Sequence, residues 1–213
     1  MNLNQFKTVA VIVAHPDDEI LWAGGTILSN QDWNVFVVSL CRASDINRAP
    51  KFLEALKVIG ARGTMGDLDD SAAQEALNEE EVEQAIIDLL PVMPYDLIIT
   101  HHPKGEYTRH LRHEETGRAV MTLWKEGSIS AGELWCFAYE DGGREYFPKG
   151  IEKADIVIPL DTSTWERKYK LITETYDFDE NSWEANSTPT TECFFKFTNP
   201  EDAMQWLGNH LEL

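Results

Sequence analysis

Apolar residues in this chain alternate between short continuous runs and stripes at helical spacing. The run Val9-Ala10-Val11-Ile12-Val13 predicts a buried parallel strand over Thr8–Ala14. Asp18–Asn30 reads as a helix, with Ile20, Leu21, Ile27 and Leu28 on one stripe. Asn34–Cys41 is a second apolar strand, and Arg48–Ile59 carries Phe52, Leu53, Leu56 and Ile59 at helical spacing before Gly60, a C′ residue. Gly63–Asp67 is a short third strand. Asn78–Leu90 has Val82, Ile86, Leu89 and Leu90 on one face and stops at Pro91. Tyr95–Thr100 is the fourth strand and runs into a Pro- and Gly-containing loop, His101–Gly105. Arg112–Glu126 is the next helix. Glu133–Ala138 and Asp155–Pro159 are further strands, with turns at Gly142-Gly143 and Pro148-Lys149-Gly150. Ser163–Tyr176 is helical, with Thr162 or Ser163 as its N-cap. After Asp177 the chain is acidic and rich in Asn, Ser and Thr, with an aromatic run, Phe194-Phe195-Lys196-Phe197, that is a candidate contact surface. No internal repeat interrupts the alternation. It predicts one α/β domain over residues 1–213 with a mostly parallel sheet, and a C-terminal extension from about residue 177.

Composition narrows the partners. At 213 residues and 43% hydrophobic, the chain can bury one sizeable core. A net charge of -19 argues against nucleic acid or anionic membrane as partners, since both are bound through clustered Lys and Arg. Between Gly63 and Pro103 ten Asp and Glu occur without a single Lys or Arg, which reads as a solvated face that aids solubility. Cys41, Cys136 and Cys193 sit singly in apolar surroundings and lack CxxC spacing, the pattern of reduced thiols rather than of a cysteine-rich zinc site. The N-terminal segment has neither the charged start nor the cleavage site of a signal peptide, and no apolar run nears the roughly 20 residues of a membrane helix. A cytoplasmic protein is expected.

The densest chemistry lies in Ala14-His15-Pro16-Asp17-Asp18-Glu19, directly after the first strand. Ligands of open α/β sheets bind beyond the carboxyl ends of the strands. An imidazole and three carboxylates in one helical turn repel one another unless a cation or solvent offsets them, and a divalent metal is the economical answer. His15 and Asp18, three apart, share one side of the first turn. Pro16 fits that turn because its missing N–H would have no intrahelical partner. Asp17 then points elsewhere, so two groups can hold a metal while a third is free for proton transfer. One carboxylate there would simply complement the helix N-terminus; three beside a His exceed that need. A second pair, His110 and His113, is again three apart and close to the start of the helix after the fourth strand. Zinc hydrolases take three protein ligands and keep one position open. His15, Asp18 and one of these two histidines would supply that set.

With these residues in place, the chain resembles the LmbE-like (PIG-L) deacetylase family, through AHPDDE after the first strand and THHP followed by the His110–His113 pair after the fourth. The similarity covers about Val9 to Gly117, with further agreement at Arg42, Arg48 and Glu54. It implies a single Rossmann-like three-layer domain and a hydrolase that uses one zinc ion per chain, or another divalent metal, to remove acetyl groups from N-acetylglucosamine-type sugars or glycosides. By the same resemblance His15, Asp18 and His113 hold the metal, Asp17 is the general base, and His110 supports the oxyanion or the leaving group. Tyr107 stands for the tyrosine usual near the motif, displaced by an extra residue, and is a candidate substrate contact; a homo-oligomer is among the expected assemblies.

Two features qualify the resemblance. Family members often have Pro and Asp between the two histidines, and here those positions are Leu111 and Arg112. An Asp there would orient a catalytic His, which Arg112 cannot do; Glu114 or Glu115 is a substitute. This keeps open a zinc amidase on another N-acyl or thiol-conjugate substrate, and a non-catalytic metal-binding relative. Arg42 and Arg48, near the end of the second strand, are candidate substrate contacts, and with Lys104 and Arg109 they would relieve the general repulsion of an anionic substrate. Asp67, Asp69 and Asp70 fit sugar hydroxyls and turn chemistry almost equally. His101 and His102 read as supporting or packing groups, and Trp135, Trp165, Trp183 and Trp206 as core residues or a sugar-stacking platform.

Overall fold

The first β-branched run forms β1 (Thr8–Val13) and gives way to α1 (Asp18–Ser29) across the acidic junction. Next come β2 (Asn34–Ser39), α2 (Arg48–Ile59), β3 (Arg62–Met65), α3 (Glu79–Leu89), β4 (Pro94–Thr100), α4 (Leu111–Glu126) and β5 (Ser130–Phe137). Two-residue strands β6 (Tyr139–Glu140) and β7 (Lys149–Gly150) pair with each other, and β8 (Ile156–Pro159) precedes α5 (Thr162–Lys170). A π-turn at Leu171–Thr175, α6 (Trp183–Ser187), β9 (Thr191–Phe197) and α7 (Pro200–Leu211) complete the order. These elements come from a computed structural model that describes residues 6–71, 73, 75–107 and 110–211, with side chains to residue 208.

The sheet has seven strands in the order β3-β2-β1-β4-β5-β9-β8. The first five are parallel, and β9 is antiparallel to both of its neighbours. Successive residues of β1 face opposite layers, so Val9, Val11 and Val13 join a core with α1, α2 and the π-turn, while Ala10 and Ile12 join one with α3, α4 and α7. The expected three-layer α/β architecture is therefore observed. Strand order reverses between β1 and β4, the switch point at which such sheets bind ligands.

Several boundaries differ from expectation. β5 begins three residues early, at Ser130, because its polar first half pairs with Pro94 and Tyr95 at the edge of β4. Lys149 and Gly150 belong to β7 rather than to a turn. The cap of α5 is Asp161, whose carboxylate accepts from the Thr164 amide (3.0 Å), not Thr162 or Ser163. The aromatic run is no contact surface. It is β9, laddered on both sides, with Phe194 buried in one layer and Phe195 and Phe197 packed into the other. Glu192 of the same strand is fully buried and accepts from the amides of Gly25 and Thr26 and from Lys168 Nζ (2.7 Å), which ties β9 to α1 and α5.

The close approach of α4 to the end of β4 rests on Gly117. A Cβ there would lie 2.5 Å from the His101 carbonyl oxygen, a backbone atom that cannot step aside. Gly117→Ala is expected to cost about 1–3 kcal/mol as an overpacking change. A lower denaturant midpoint at unchanged m-value would register that loss.

Candidate metal centre and catalytic pocket

The chain leaves β1 in a conformation few side chains adopt. Asp17 has φ 126°, and Arg42 at the end of β2 has φ 70°; both line the cavity described below. Such geometry costs about 1–3 kcal/mol and persists only where the surroundings impose it. The Asp17 carbonyl accepts from Leu21 N (2.8 Å) at the start of α1, but its side chain caps nothing. Its carboxylate faces Arg48 Nη1 at 3.4 Å instead. Burial and the neighbouring Asp18 charge push the Asp17 carboxyl well above its ordinary range, and Arg48 pulls it back only in part. Glu19 is fully buried and accepts from Tyr176 and from the Asp17 amide (3.0 Å); burial lifts its pKa to about 7.

His15, Asp18 and His113 converge on one point. His15 Nδ1 is 3.1 Å from His113 Nε2 and 3.2 Å from Asp18 Oδ2, and His113 Nε2 is 3.4 Å from that same oxygen. Donors at 2.0–2.1 Å around a tetrahedral metal lie about 3.3 Å apart. The outer nitrogens of both rings are taken by carboxylates. His15 Nε2 meets Asp70 Oδ1 (3.1 Å), and His113 Nδ1 meets Glu106 Oε2 (2.7 Å). Protons on those outer nitrogens leave two lone pairs and a carboxylate oxygen facing one another, an arrangement that calls for a proton or a cation between them. Despite burial, Asp18 raises the proton affinity of both imidazoles, the electrostatic condition that also favours a metal ion. The donor set therefore fits a divalent metal of borderline softness such as zinc.

His101 also lies within 4.8 Å of Asp18 and His113, but it is not a free donor. Its Nε2 accepts from the Ala14 amide (2.9 Å), so its proton sits on Nδ1 and is donated to Glu106 Oε1 (2.8 Å). Glu106, fully buried, thus spans two imidazoles and also accepts from the His102 amide (2.8 Å). Burial opposes its ionisation, and the two imidazoles that donate to it, His101 and His113, outweigh that and hold its carboxyl far below the usual range. His102 packs edge-on against Trp206 and Phe195. Sequence reasoning looked for the orienting carboxylate at position 112 and missed Glu106, although it is the sole acid between His101 and His113.

His110 stands at the start of α4, its ring stacked on His113 at 4.3 Å and 4.7 Å from that of His15. Its buried Nδ1 has no hydrogen-bond partner among the described residues. Burial first, then His113 and His15, push its pKa down to about 3, so it is neutral near pH 7. Arg112 does not bear on it. The buried guanidinium turns away, pairs with Glu115 (2.6 Å) and donates to the carbonyls of Asp69 and Glu75. Glu115 is thereby engaged by Arg112, and Glu114 pairs with Arg118 (3.5 Å). Arg112 instead pins the segment after β3 that carries Asp70 to His15. Arg112→Leu strands the Glu115 charge, and a broken buried pair costs about 3–5 kcal/mol. The expected result is a lower Tm together with weaker metal retention, measured on the same preparation.

The convergent groups open into a cavity of about 450 Å³ lined by His15, Asp17, Asp18, Arg42, Arg48, Asp70, Tyr107, His110 and His113, among others. Arg42 is paired with Asp70, whose carboxyl His15 and Arg42 hold well below its normal range against the cost of burial. The Arg48 guanidinium lies 4.2 Å above the Phe178 ring. Asp67 serves a turn, accepting from Ser44 N (2.7 Å), and Asp69 is spent on Arg112 and Ser71. Arg109 lies outside the described residues. Trp183 and Glu184 of α6 also line the cavity. The Trp183 ring is 4.8 Å from that of Tyr107.

The sequence and the fold have known counterparts. A family model described as PIG-L, GlcNAc-PI de-N-acetylase, matches residues 10–124, more than half of the chain. The chain belongs to the PIG-L family. Among curated proteins, the uncharacterized protein L374 of Acanthamoeba polyphaga mimivirus is 20% identical to this PIG-L chain over 176 residues, covering 76% of it and 75% of the viral protein. The N,N'-diacetylchitobiose deacetylase of Pyrococcus horikoshii has a similar fold, with TM-score 0.67 and 18% identity over 90% of this chain and 84% of its own. The 4-carboxy-2-hydroxymuconate hydratase GalB of Pseudomonas putida is similar at TM-score 0.64 and 16% identity, over 91% of this chain and 97% of its own. Deacetylase and hydratase thus share one fold, and the reaction of this PIG-L member has to be argued from its site. Among the described residues no helix is long and apolar enough to cross a membrane.

Proposed function

We propose that this chain is a zinc-dependent N-deacetylase acting on an N-acetylglucosamine-type sugar or glycoside. The observation that carries the reading is the cluster of His15 Nδ1, Asp18 Oδ2 and His113 Nε2 within 3.1–3.4 Å, opening into the cavity that Asp17 also lines. Those three residues would hold the metal. When bound, zinc supplies Lewis acidity, making hydroxide available near pH 7 and polarising a carbonyl.

The remaining roles belong to the chain. Asp17, a stronger base than an ordinary carboxylate, accepts the proton of the attacking water. His110, neutral and hydrogen-bearing, donates to the acetamide oxygen as charge develops there. Asp17, holding the proton taken from water and lining the same cavity, returns it to the departing amine. Glu106 and Asp70 keep the lone pairs of His113 and His15 aimed at the metal position and raise their basicity. Arg48 orients Asp17 from the cavity wall.

Acetate release from N-acetylglucosamine glycosides, assayed beside N-acyl amines that lack a sugar ring, tests the substrate class. The proposal expects turnover of the glycosides, abolished by EDTA and restored by zinc. Turnover confined to ring-free amides would reassign the enzyme as a different amidase, and a zinc-loaded protein that turns over neither would be a binding relative.

A further inference from the structure

The part of the cavity wall that the family match does not reach is α6, beyond residue 124. Trp183 is 38% exposed, and its open surface lines the cavity. One edge is braced by Tyr107 at 4.8 Å and by Trp22 at 6.3 Å between ring centroids. Trp22 is itself fully buried and donates from Nε1 to Asp18 Oδ1 (3.2 Å), so the aromatic wall is continuous with the metal centre. Glu184 follows in the same short helix and lines the same cavity. The segment is fixed, since Ser182 Oγ accepts from Ala185 N (3.1 Å) and Thr188 Oγ1 donates to the Glu184 carbonyl (2.9 Å). Arg42 and Arg48 line the same cavity and are engaged by Asp70 and Asp17.

A flat indole beside a carboxylate suits a sugar ring. A pyranose presents an apolar C–H face that stacks on an aromatic ring, and hydroxyls at its rim that donate to a carboxylate. An anionic substituent placed beside Glu184 would be repelled by its carboxylate, and the two guanidiniums of this cavity already carry carboxylate partners. We propose that Trp183 and Glu184 form the subsite for the sugar ring and select an uncharged N-acetylhexosamine over its phosphorylated counterpart. This rests on the deacetylase reading for the orientation of the acetamide, while the contact between ring and wall is independent of turnover.

Zinc-reconstituted wild type, W183A, W183F and E184Q are compared in two measurements. The first is acetate release from methyl N-acetylglucosaminide, its 6-phosphate and N-acetylethanolamine. The second is calorimetric binding of methyl glucoside, which carries neither an acetyl group nor a charge. W183A should raise KM and Kd for the neutral glycoside by about tenfold, more than it changes kcat, with little effect on N-acetylethanolamine. W183F should lose less, and it guards against a packing defect beside Trp22. E184Q should narrow the preference for the neutral sugar over the phosphate several-fold. Wild-type values for both sugars in all three variants would overturn the subsite. Trp183-dependent binding without any acetate release would uphold the subsite and reject the deacetylase, whereas acetate release indifferent to Trp183 would do the reverse. A wild type that neither binds nor deacetylates these sugars would remove both.

Discussion

Asp17→Asn should lower kcat for acetate release by about 10²- to 10⁴-fold, the range for loss of a positioned general base, and leave bound zinc close to the wild-type level. The separation follows from the turn that begins α1. His15 and Asp18 direct their donor atoms to one point, while the unusual backbone of Asp17 sends its carboxylate toward Arg48 and the cavity. The amide of Asn matches the shape of the carboxylate but cannot accept a proton. Steady-state kinetics paired with metal analysis on one preparation reads both quantities. Full activity in D17N would show that another group activates the water.

Glu106→Gln is expected to weaken metal affinity or activity by about 10- to 100-fold, the effect of losing a carboxylate behind a ligating histidine. The buried carboxylate accepts from His113 Nδ1 and His101 Nδ1 together. Gln offers one acceptor oxygen where two are used, so one imidazole loses its partner and His113 is free to change tautomer. Competition with a chromophoric chelator measures the affinity, and the loss should exceed that of an exposed control such as Glu54→Gln. Equal affinities in E106Q and wild type would mean that His113 is oriented by packing alone.

The sequence exposes the local half of this centre and hides the rest. His15 and Asp18 are legible because three residues of a first helical turn bring them to one side, and β1 is legible because its run is continuous and β-branched. The alternation of elements implies that the His113 segment opens onto the same sheet face, but that it joins them from 98 positions away depends on β1 and β4 being neighbours, which the alternation does not give. Glu106 is harder, since it sits in a loop with no period, and only the rule that a ligating His needs a partner would have pointed to it. Asp70 looked as much like a turn residue as a site residue, because its role depends on how Arg112 pins the segment around it. Trp183 is one of four tryptophans that fit a core or a stacking platform, but it and Glu184 lie on a five-residue helix, too short for periodicity to mark, and nothing in the sequence brings them to this cavity. The antiparallel insertion of β9 between β5 and β8 is a pairing between distant segments, about which an aromatic run says nothing.

Zinc stoichiometry and acetate release, measured together on wild type and His113→Ala, bear most directly on the central claim. Removal of His113 takes one of three donors and the ring through which Glu106 acts. The account predicts about one zinc per wild-type chain, lost on EDTA treatment together with activity and regained on re-addition, and H113A that neither retains zinc nor releases acetate. Acetate release undiminished in metal-free wild type, or H113A that binds zinc and turns over as well as wild type, would contradict it.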